Sequence, residues 1–345
     1  MSKNLSLEEC MEIAEKKKCI NIFDSFLKTN NIINDRQYSN ILCSLSGGSD
    51  SDIMLDIVYK CDKNHIVKYV WFDTGIEYQA TKDHISYLEN KYNISIIREK
   101  ANKTIPITCK EYGQPFISKY VSEHISKLQS INFNFKDDSF ENLSKLYPEN
   151  ISTIKWWCNK YTNDDADKYS RYDIGYNKWL KEFLIENPPD FKISSKCCTY
   201  AKKLASKHII KKYNSDLMLT GIRKYEGGIR SMAYKNCISY NPDGISYYRP
   251  IFWFINDDKE MYEYLYDIQH SECYTKYGMK RTGCAGCPFN TKLSEEIDVI
   301  KNHEPLLYKA INNIFKDSYD YTKKFIEFKN KQRAKLRKGG DDNGK

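Results

Sequence analysis

Residues 40–51 run from a short apolar segment into a glycine-rich turn, which leads directly into an amphipathic segment. The apolar part, residues 40–45, has the length and composition of a buried strand. The segment at 52–61 spaces four apolar side chains as on one helix face: Ile53, Met54, Ile57 and Val58. Such a strand–turn–helix brings backbone N–H groups and the positive end of a helix dipole to one point. The chain is therefore predicted to have an α/β fold with an anion site.

The pattern continues as alternating strands and helices. A strand at 66–72 stops at Asp73, a helix covers 79–92, and a third strand covers 94–98. Short links between such elements predict a doubly wound parallel sheet with right-handed crossovers. A later strand at 216–220 stops at Gly221. Ligands of parallel sheets bind at the carboxyl ends of strands, so Asp73 and Gly221 are candidate site residues.

The remaining segments predict additions to this domain. Residues 1–35 indicate an N-terminal helical segment, and 36–290 indicate the nucleotide-binding domain. Within it, the irregular, aromatic stretch at about 110–195 predicts an inserted helical cap over the sheet edge. Residues 291–330 predict a helical C-terminal extension, and 331–345 predict a disordered basic tail.

Composition favours a folded protein that works in the cytoplasm. Hydrophobic residues make up 41% of the 345 positions, and 28 tyrosines and 15 phenylalanines offer large surfaces to bury. No segment approaches the roughly 18 uncharged apolar residues of a membrane span, and residues 1–18 lack a signal-peptide core. The net charge of +8 suits a polyanionic partner and equally suits a solvated basic surface.

The glycine-rich turn itself reads as a phosphate cradle. Gly47 and Gly48 leave room for a phosphate, and Ser46 and Ser51 add hydroxyl donors. The turn is neither a Walker A loop nor a dinucleotide fingerprint. Asp50 would repel a phosphate unless Mg²⁺ binds there or the carboxylate caps the helix. The candidate nucleotide-binding residues are Ser46, Gly47, Gly48, Ser49, Asp50, Ser51, Asp73 and Gly221.

Four segments, in order between residues 38 and 290, resemble the PAPS reductase-like family of the adenine nucleotide α-hydrolase (PP-loop ATP pyrophosphatase) superfamily. The turn is similar to the family's SGGxDS loop, and the other segments are 70–77 (VWFDTGIE), 221–230 (GIRKYEGGIR) and 250–265. Gly227 departs from the serine of the family's third segment. The resemblance implies an adenine nucleotide site in which Asp50, Arg223 and Arg230 are catalytic. Independently of the resemblance, the guanidinium groups of Arg223 and Arg230 offer forked donors for phosphate oxygens.

Two cysteine pairs form a candidate metal site. Cys197 and Cys198 are adjacent, while Cys284 and Cys287 form a CxxC followed by proline. Four thiolates can hold tetrahedral zinc or a [4Fe-4S] cluster, and adjacent cysteines chelate one zinc poorly. Unligated thiols are the third interpretation. The arrangement resembles the iron–sulfur signature of adenylyl-sulfate reductases and of DNA phosphorothioation enzymes, which favours the cluster. The other cysteines, including Cys43, Cys109 and Cys158, are expected to be structural.

The favoured reaction is cleavage of ATP with Mg²⁺ to AMP and pyrophosphate, which adenylates an acceptor for sulfur transfer. The complete loop suits a ligand that carries a pyrophosphate. A sulfonucleotide reductase releasing sulfite is the alternative, but no cysteine follows Cys287 to act as its nucleophile, so Cys10, Cys19 or a partner would have to supply it. A sulfur-donor protein and a nucleic-acid substrate are candidate partners. The last alternative is a non-catalytic nucleic-acid-binding protein with a structural cluster.

Overall fold

The computed structural model of this chain describes residues 8, 12, 20–35, 37–163, 167–227, 233–240 and 244–341. By contacts the chain divides into two compact units. The first unit comprises residues 1–102 and 201–285, and the second comprises residues 103–200 and 286–345.

The first unit contains the strands of the sheet and the helices around them. In chain order its described elements are α1 (Ile20–Ile33), β1 (Ile41–Leu45), α2 (Ser49–Cys61), β2 (Val67–Asp73), α3 (Gln79–Tyr92) and β3 (Ile96–Lys100). The elements of the second unit along the chain are α4 (Ile105–Tyr112), α5 (Lys119–Ser130), α6 (Phe140–Leu146), α7 (Ile151–Trp157), α8 (Leu180–Glu186) and α9 (Lys196–Cys198).

Beyond a π-helical turn at Thr199–Leu204, the chain returns to the first unit. The elements there are α10 (Ala205–Lys212), β4 (Leu217–Thr220), β5 (Ile238–Tyr240), β6 (Ser246–Tyr248), α11 (Asn256–Tyr266) and α12 (Glu272–Thr275). The second unit ends with α13 (Leu293–His303), α14 (Pro305–Ile314) and α15 (Lys316–Asp341).

The described strands form one sheet in the order β3-β2-β1-β4-β6-β5. All neighbouring pairs are parallel except β5 and β6, which are antiparallel. The order reverses direction between β1 and β4, and ligands bind at such a switch point in doubly wound sheets. The predicted α/β fold with a parallel sheet is confirmed, and β3 begins two residues later than expected.

Alternation along β1 places side chains on both faces of the sheet. Ile41, Cys43 and Leu45 pack in a core that α1, α2, α3 and α11 also enter. Leu42 faces the other side, where Ile209 and Ile210 of α10 cover it. Helices therefore cover the sheet on both faces, as its nearly continuous apolar strands require.

The second unit has its own aromatic core. Phe116, Trp156, Trp157 and Phe183 are fully buried in it, and Tyr321 and Phe325 of α15 pack against the same cluster. The C-terminal helices thus share a core with the insertion. Helix α15 continues to Asp341, through residues predicted to be a disordered tail, and its run of lysines and arginines favours helix. No helix in the described ranges has the length and apolarity of a membrane span.

Candidate functional site

A cavity of about 780 Å³ lies in the first unit, at the carboxyl ends of β1, β2 and β4. Its wall combines residues of the glycine-rich turn with the segments that follow these strands. Cations dominate the charged side chains of the wall: Lys202, Lys203, Lys207, Arg223, Lys259, Lys280 and Arg281, against Asp50, Glu77 and Glu226. This excess of positive charge is suited to a polyanionic ligand.

Two glycines bring the backbone close to this cavity. Gly47 has φ +68°, and a Cβ there would lie 2.7 Å from Cγ2 of Thr81. Gly221, at the end of β4, would place a Cβ 3.2 Å from the carbonyl oxygen of Asp50. Both positions therefore need glycine, the first for conformation and space and the second for close approach of β4 to α2.

Side-chain hydroxyls hold the turn in shape. Ser51 Oγ accepts a hydrogen bond from the Ser46 amide at 3.0 Å, and Ser46 Oγ accepts one from the Gly48 amide at 3.3 Å. Lys259 Nζ donates to Ser49 Oγ at 2.5 Å. Helix α2 starts at this turn with Gly48 as its N-cap and no side-chain cap. The helix N-terminus and an ammonium group therefore converge on the same loop.

Asp50 forms ion pairs with two cations. Arg223 Nε lies 3.0 Å from its Oδ2, and Lys259 Nζ lies 3.0 Å from its Oδ1. Arg223 also donates from Nη1 to Asn256 Oδ1 at 3.2 Å and is only 7% exposed. Asp50 thus does not cap α2, contrary to one of the two roles considered for it. Its negative charge is offset by neighbours that sequence proximity does not show.

Asp50 and Glu226 form a carboxyl pair. Burial alone would raise the pKa of Asp50, but the Glu226 hydrogen bond and the charges of Lys259 and Arg223 lower it below its usual value. Burial, with the adjacent Asp50, raises the pKa of Glu226 to about 7. Below about pH 7 the shared proton therefore resides on Glu226, and Asp50 carries the charge.

Other polar groups complete the wall. Burial raises the pKa of Glu77, although hydrogen bonds from Thr74 and the charge of Lys202 oppose the shift. The hydroxyls of Tyr274 and Thr282 lie 2.9 Å apart, and a Cβ on Gly48 would approach them to 3.2 and 3.4 Å. The wall can thus donate hydrogen bonds from hydroxyls as well as from cations.

Most of the predicted nucleotide-site residues contribute to this wall: Ser46, Gly48, Ser49, Asp50, Ser51, Gly221 and Arg223. Gly47 belongs to the turn but does not line the cavity. Asp73 also lies outside the wall, and its Oδ1 accepts a hydrogen bond from the Gly75 amide at 2.8 Å. Arg230, predicted to be catalytic, lies outside the described residues. The assignment of these residues to a nucleotide remains a prediction.

The sequence analysis did not identify Lys259 and gave Glu226 no role of its own. Lys259 lies on α11, more than 200 positions after the loop that it contacts. Its local sequence is that of an ordinary amphipathic helix. Glu226 follows Arg223 in a motif that was recognised, so the motif was the available signal for its role.

In the second unit, a group of cysteine side chains lies around Cys197. Cys109 on α4 and Cys197 on α9 are both buried, and the two helices pack on each other. A hydrogen bond with Cys109 and burial raise the pKa of Cys197, while a hydrogen bond with Cys198 opposes the shift. Cys287 is close enough to add a further rise. Cys109, expected to be structural, is therefore part of this thiol group.

The metal prediction has a mixed outcome. Of the four predicted ligands, Cys197, Cys198 and Cys287 belong to the second unit, and Cys284 belongs to the first. Within the described residues, no three histidine, cysteine, aspartate or glutamate side chains form a group that fits a metal ion. The four-cysteine cluster therefore remains a prediction from the sequence.

Comparison with known proteins matches part of the chain to a family model. Residues 40–150 match the family model of the phosphoadenosine phosphosulfate reductase domain. This match confirms the resemblance to the PAPS reductase-like family. An uncharacterized protein of Methanocaldococcus jannaschii is 31% identical over 121 residues. The matched segment covers 33% of this chain and only 25% of that relative.

Solved structures show more remote likenesses. The phosphoadenylyl-sulfate reductase of Candida auris in a phosphate complex has 13% identity and a TM-score of 0.41, covering 82% of this chain and 98% of its own. The U34-tRNA thiolase NcsA of Methanococcus maripaludis with its [4Fe-4S] cluster has 13% identity and a TM-score of 0.37. That match covers 88% of this chain and 79% of the thiolase.

Proposed function

We propose that this chain, which carries a PAPS reductase-type segment at residues 40–150, binds ATP in the first-unit cavity and cleaves it between the α and β phosphates. The carrying observation is the glycine-rich turn between β1 and α2, which opens into a cavity with an excess of cations. An acceptor nucleophile attacks the α-phosphorus. The bond from that phosphorus to the bridging oxygen breaks, and the electron pair leaves with pyrophosphate.

The wall residues would act mainly by position and charge. Backbone amides of the turn and the N-terminus of α2 face the pyrophosphate, and Lys259 adds a cation at Ser49. Arg223 stabilises charge that develops on the phosphate oxygens. Its guanidinium is held in place by Asp50 and Asn256, so little reorganisation is needed during the reaction.

Mg²⁺ would enter with the nucleotide. Nucleotide-bound Mg²⁺ takes only one or two protein carboxylates besides phosphates and waters. The Asp50 and Glu226 carboxyl groups in the cavity wall would hold the ion, Glu226 after it has released its proton. When bound, the ion would neutralise phosphate charge.

The use of the adenylate rests on the resemblance alone. By analogy with sulfur-transfer members of the family, the adenylated acceptor would receive sulfur from a donor protein, and a nucleic acid is one candidate acceptor. A [4Fe-4S] cluster held by the predicted cysteines belongs to the same proposal. No step of the ATP cleavage depends on that cluster.

The decisive experiment incubates the protein anaerobically with ATP, with adenylyl sulfate or with its 3′-phosphorylated form, adding a thiol donor. With water as the nucleophile in place of the acceptor, we expect AMP and pyrophosphate from ATP, and loss of that activity in Asp50→Ala. Asp83→Ala, a change on the exposed side of α3, is the matched control. Sulfite release from either sulfonucleotide would favour the reductase alternative, and pyrophosphate release unaffected by Asp50→Ala would contradict the proposal.

The cluster is tested separately. After anaerobic reconstitution, iron and acid-labile sulfide per chain are measured for the natural protein, Cys198→Ser and the control Cys43→Ser. Cys43 is buried in β1 of the first unit. Equal iron in all three proteins would overturn the cluster proposal and leave the ATP proposal standing.

A further inference from the structure

The first turn of helix α2 contains two acidic residues, although this N-terminus lies at the first-unit cavity. Asp50 and Asp52 both lie in its first turn. Carboxylates there stabilise the helix dipole but weaken the attraction of the same N-terminus for an anion. Asp50 is balanced by Arg223 and Lys259. Asp52 needs its own balance, because it is only 1% exposed.

His270, in the loop between α11 and α12, supplies that balance. Its Nδ1 lies 2.8 Å from Asp52 Oδ2, and its Nε2 lies 2.9 Å from Glu263 Oε1. Both ring nitrogens thus face carboxylate oxygens at hydrogen-bond distance. A neutral imidazole has one donor and one acceptor nitrogen, so only the protonated ring donates to both carboxylates.

The surroundings support a protonated ring. Burial alone would lower the pKa of His270, but the hydrogen bonds and charges of Asp52 and Glu263 raise it to about 9. Other ionisable groups also face this cluster. His84 Nε2 of α3 lies 3.0 Å from Asp52 Oδ1, and the Tyr274 ring of α12 lies 5.8 Å from the His270 ring.

Glu263 connects this imidazole to the glycine-rich turn at residues 46–51, which we call the phosphate loop from here on. It lies one turn after Lys259 on α11, and the Lys259 ammonium is 3.7 Å from Glu263 Oε1. The same ammonium reaches Ser49 Oγ and Asp50 Oδ1. A continuous series of charges therefore runs from Asp52 through His270 and Glu263 to Lys259 and back to the loop.

We propose that His270 is a positioning residue of the phosphate loop: as an imidazolium it neutralises Asp52 at the N-terminus of α2 and, through Glu263, holds Lys259 against Ser49 and Asp50. A neutral ring at this site leaves one carboxylate unbalanced beside the helix N-terminus. The loop's affinity for a pyrophosphate group then falls. The inference deepens the proposed function, since it concerns the same phosphate site.

The sign of the pH dependence follows from the charge. Well below pH 9 the folded protein carries the imidazolium, and its affinity for pyrophosphate is at its full value. As the pH rises through about 9, the ring loses its proton and affinity falls. Because Lys259 contacts the same loop, the comparison is made against variants that keep Lys259.

The test uses inorganic pyrophosphate as the probe and isothermal titration calorimetry between pH 7 and 10. We expect His270→Gln to bind about tenfold more weakly at pH 7.5, and to lack the additional loss that the natural protein shows near pH 9. Glu263→Gln, a change at a partly exposed carboxylate, should show a smaller loss and a lower midpoint. His208→Gln is the control, because His208 pairs with Glu99 at 2.9 Å and does not line the cavity.

A second readout needs no ligand. Protein with isotope-labelled histidines is titrated with base and followed by NMR. The His270 signal is identified by its absence in His270→Gln. We expect it to titrate near 9, and to titrate lower in Glu263→Gln. A His270 midpoint near the ordinary value of 6.5 would overturn the inference, as would equal pyrophosphate affinity of His270→Gln and the natural protein at every pH. If the protein binds pyrophosphate in this His270-dependent way but forms no AMP from ATP, the proposed function fails and the inference stands.

Discussion

The phosphate loop of the first unit and the thiol group of the second unit use opposite surroundings to set the charge of their reactive groups. Around the loop, Asp50 stays ionised because Arg223 and Lys259 lie 3.0 Å away. Around Cys197, burial and the adjacent Cys109 keep the thiol protonated by raising its pKa. Opposite charges therefore stabilise ions at the first site, while desolvation and other thiols favour neutral groups at the second.

This difference predicts different behaviour without ligands. A charged, partly open wall with fixed partners is already organised for an anion. A buried, protonated thiol is a poor nucleophile until its environment changes. The first region should therefore be functional through its static geometry, whereas the second requires deprotonation, as metal binding would cause.

The largest effect is expected at Arg223. Arg223→Lys keeps the charge but loses the fork that joins Asp50 to Asn256. We expect pyrophosphate release from ATP to fall about 100-fold. Arg98→Lys is a matched control, since Arg98 forms an exposed pair with Glu89 in the same unit. Equal rates for Arg223→Lys and the natural protein would show that point charge, without fixed geometry, is sufficient at this wall.

Gly47 tests how rigidly the loop is constrained. Gly47 and Gly227 share φ +68°, but a Cβ on Gly227 has no atom within 4 Å. Gly227→Ala should lower the free energy of unfolding by about 1–3 kcal/mol, because φ +68° with ψ −169° is a conformation nearly restricted to glycine. Gly47→Ala should cost about 1–3 kcal/mol more, because Thr81 must move. Urea unfolding of both variants measures the difference, and equal losses would mean that the loop yields easily.

Glu226 tests the carboxyl pair through pH. Its pKa rises from 4.5 to about 7 on folding, so the folded protein holds a proton that the unfolded chain releases. This contribution to stability is complete below pH 4.5 and is lost as the pH rises through 7. Glu226→Gln should therefore reduce the fall in melting temperature between pH 5 and pH 8. Glu89→Gln is the control, because the pKa of Glu89 is lowered instead; an unchanged pH profile in Glu226→Gln would contradict the pair.

The smallest effect is expected at the thiols. Cys109→Ala removes the hydrogen bond that raises the pKa of Cys197. Alkylation of Cys197 at pH 8, followed by mass spectrometry, should accelerate a few-fold. Cys158→Ala is the control, since Cys158 packs on the aromatic core of the second unit. Unchanged or slower alkylation in Cys109→Ala would show that access, rather than protonation, limits this thiol.

Local patterns predicted what depends on neighbouring residues. The segment from β1 through Gly47 to α2 could be predicted from the sequence, because a buried strand, two glycines and a helix face follow one another directly. A role of Arg223 in the site could also be predicted, because this residue follows β4 at the sheet edge where ligands bind. The structure of the second unit was harder to predict from the sequence. Its aromatic residues have no regular spacing, so neither its extent nor its shared core with α15 followed from the pattern.

The α/β class, the parallel pairing of the first strands and the position of the glycine-rich turn follow from residue patterns, because they depend on short-range periodicity and on glycine. The charged neighbours of that turn, in contrast, come together only in the folded chain. Lys259, Glu226 and His270 act on it from segments about 180 to 220 residues further along the chain. Ion pairs and proton positions depend on distances of a few ångströms in space, which residue spacing along a chain does not encode.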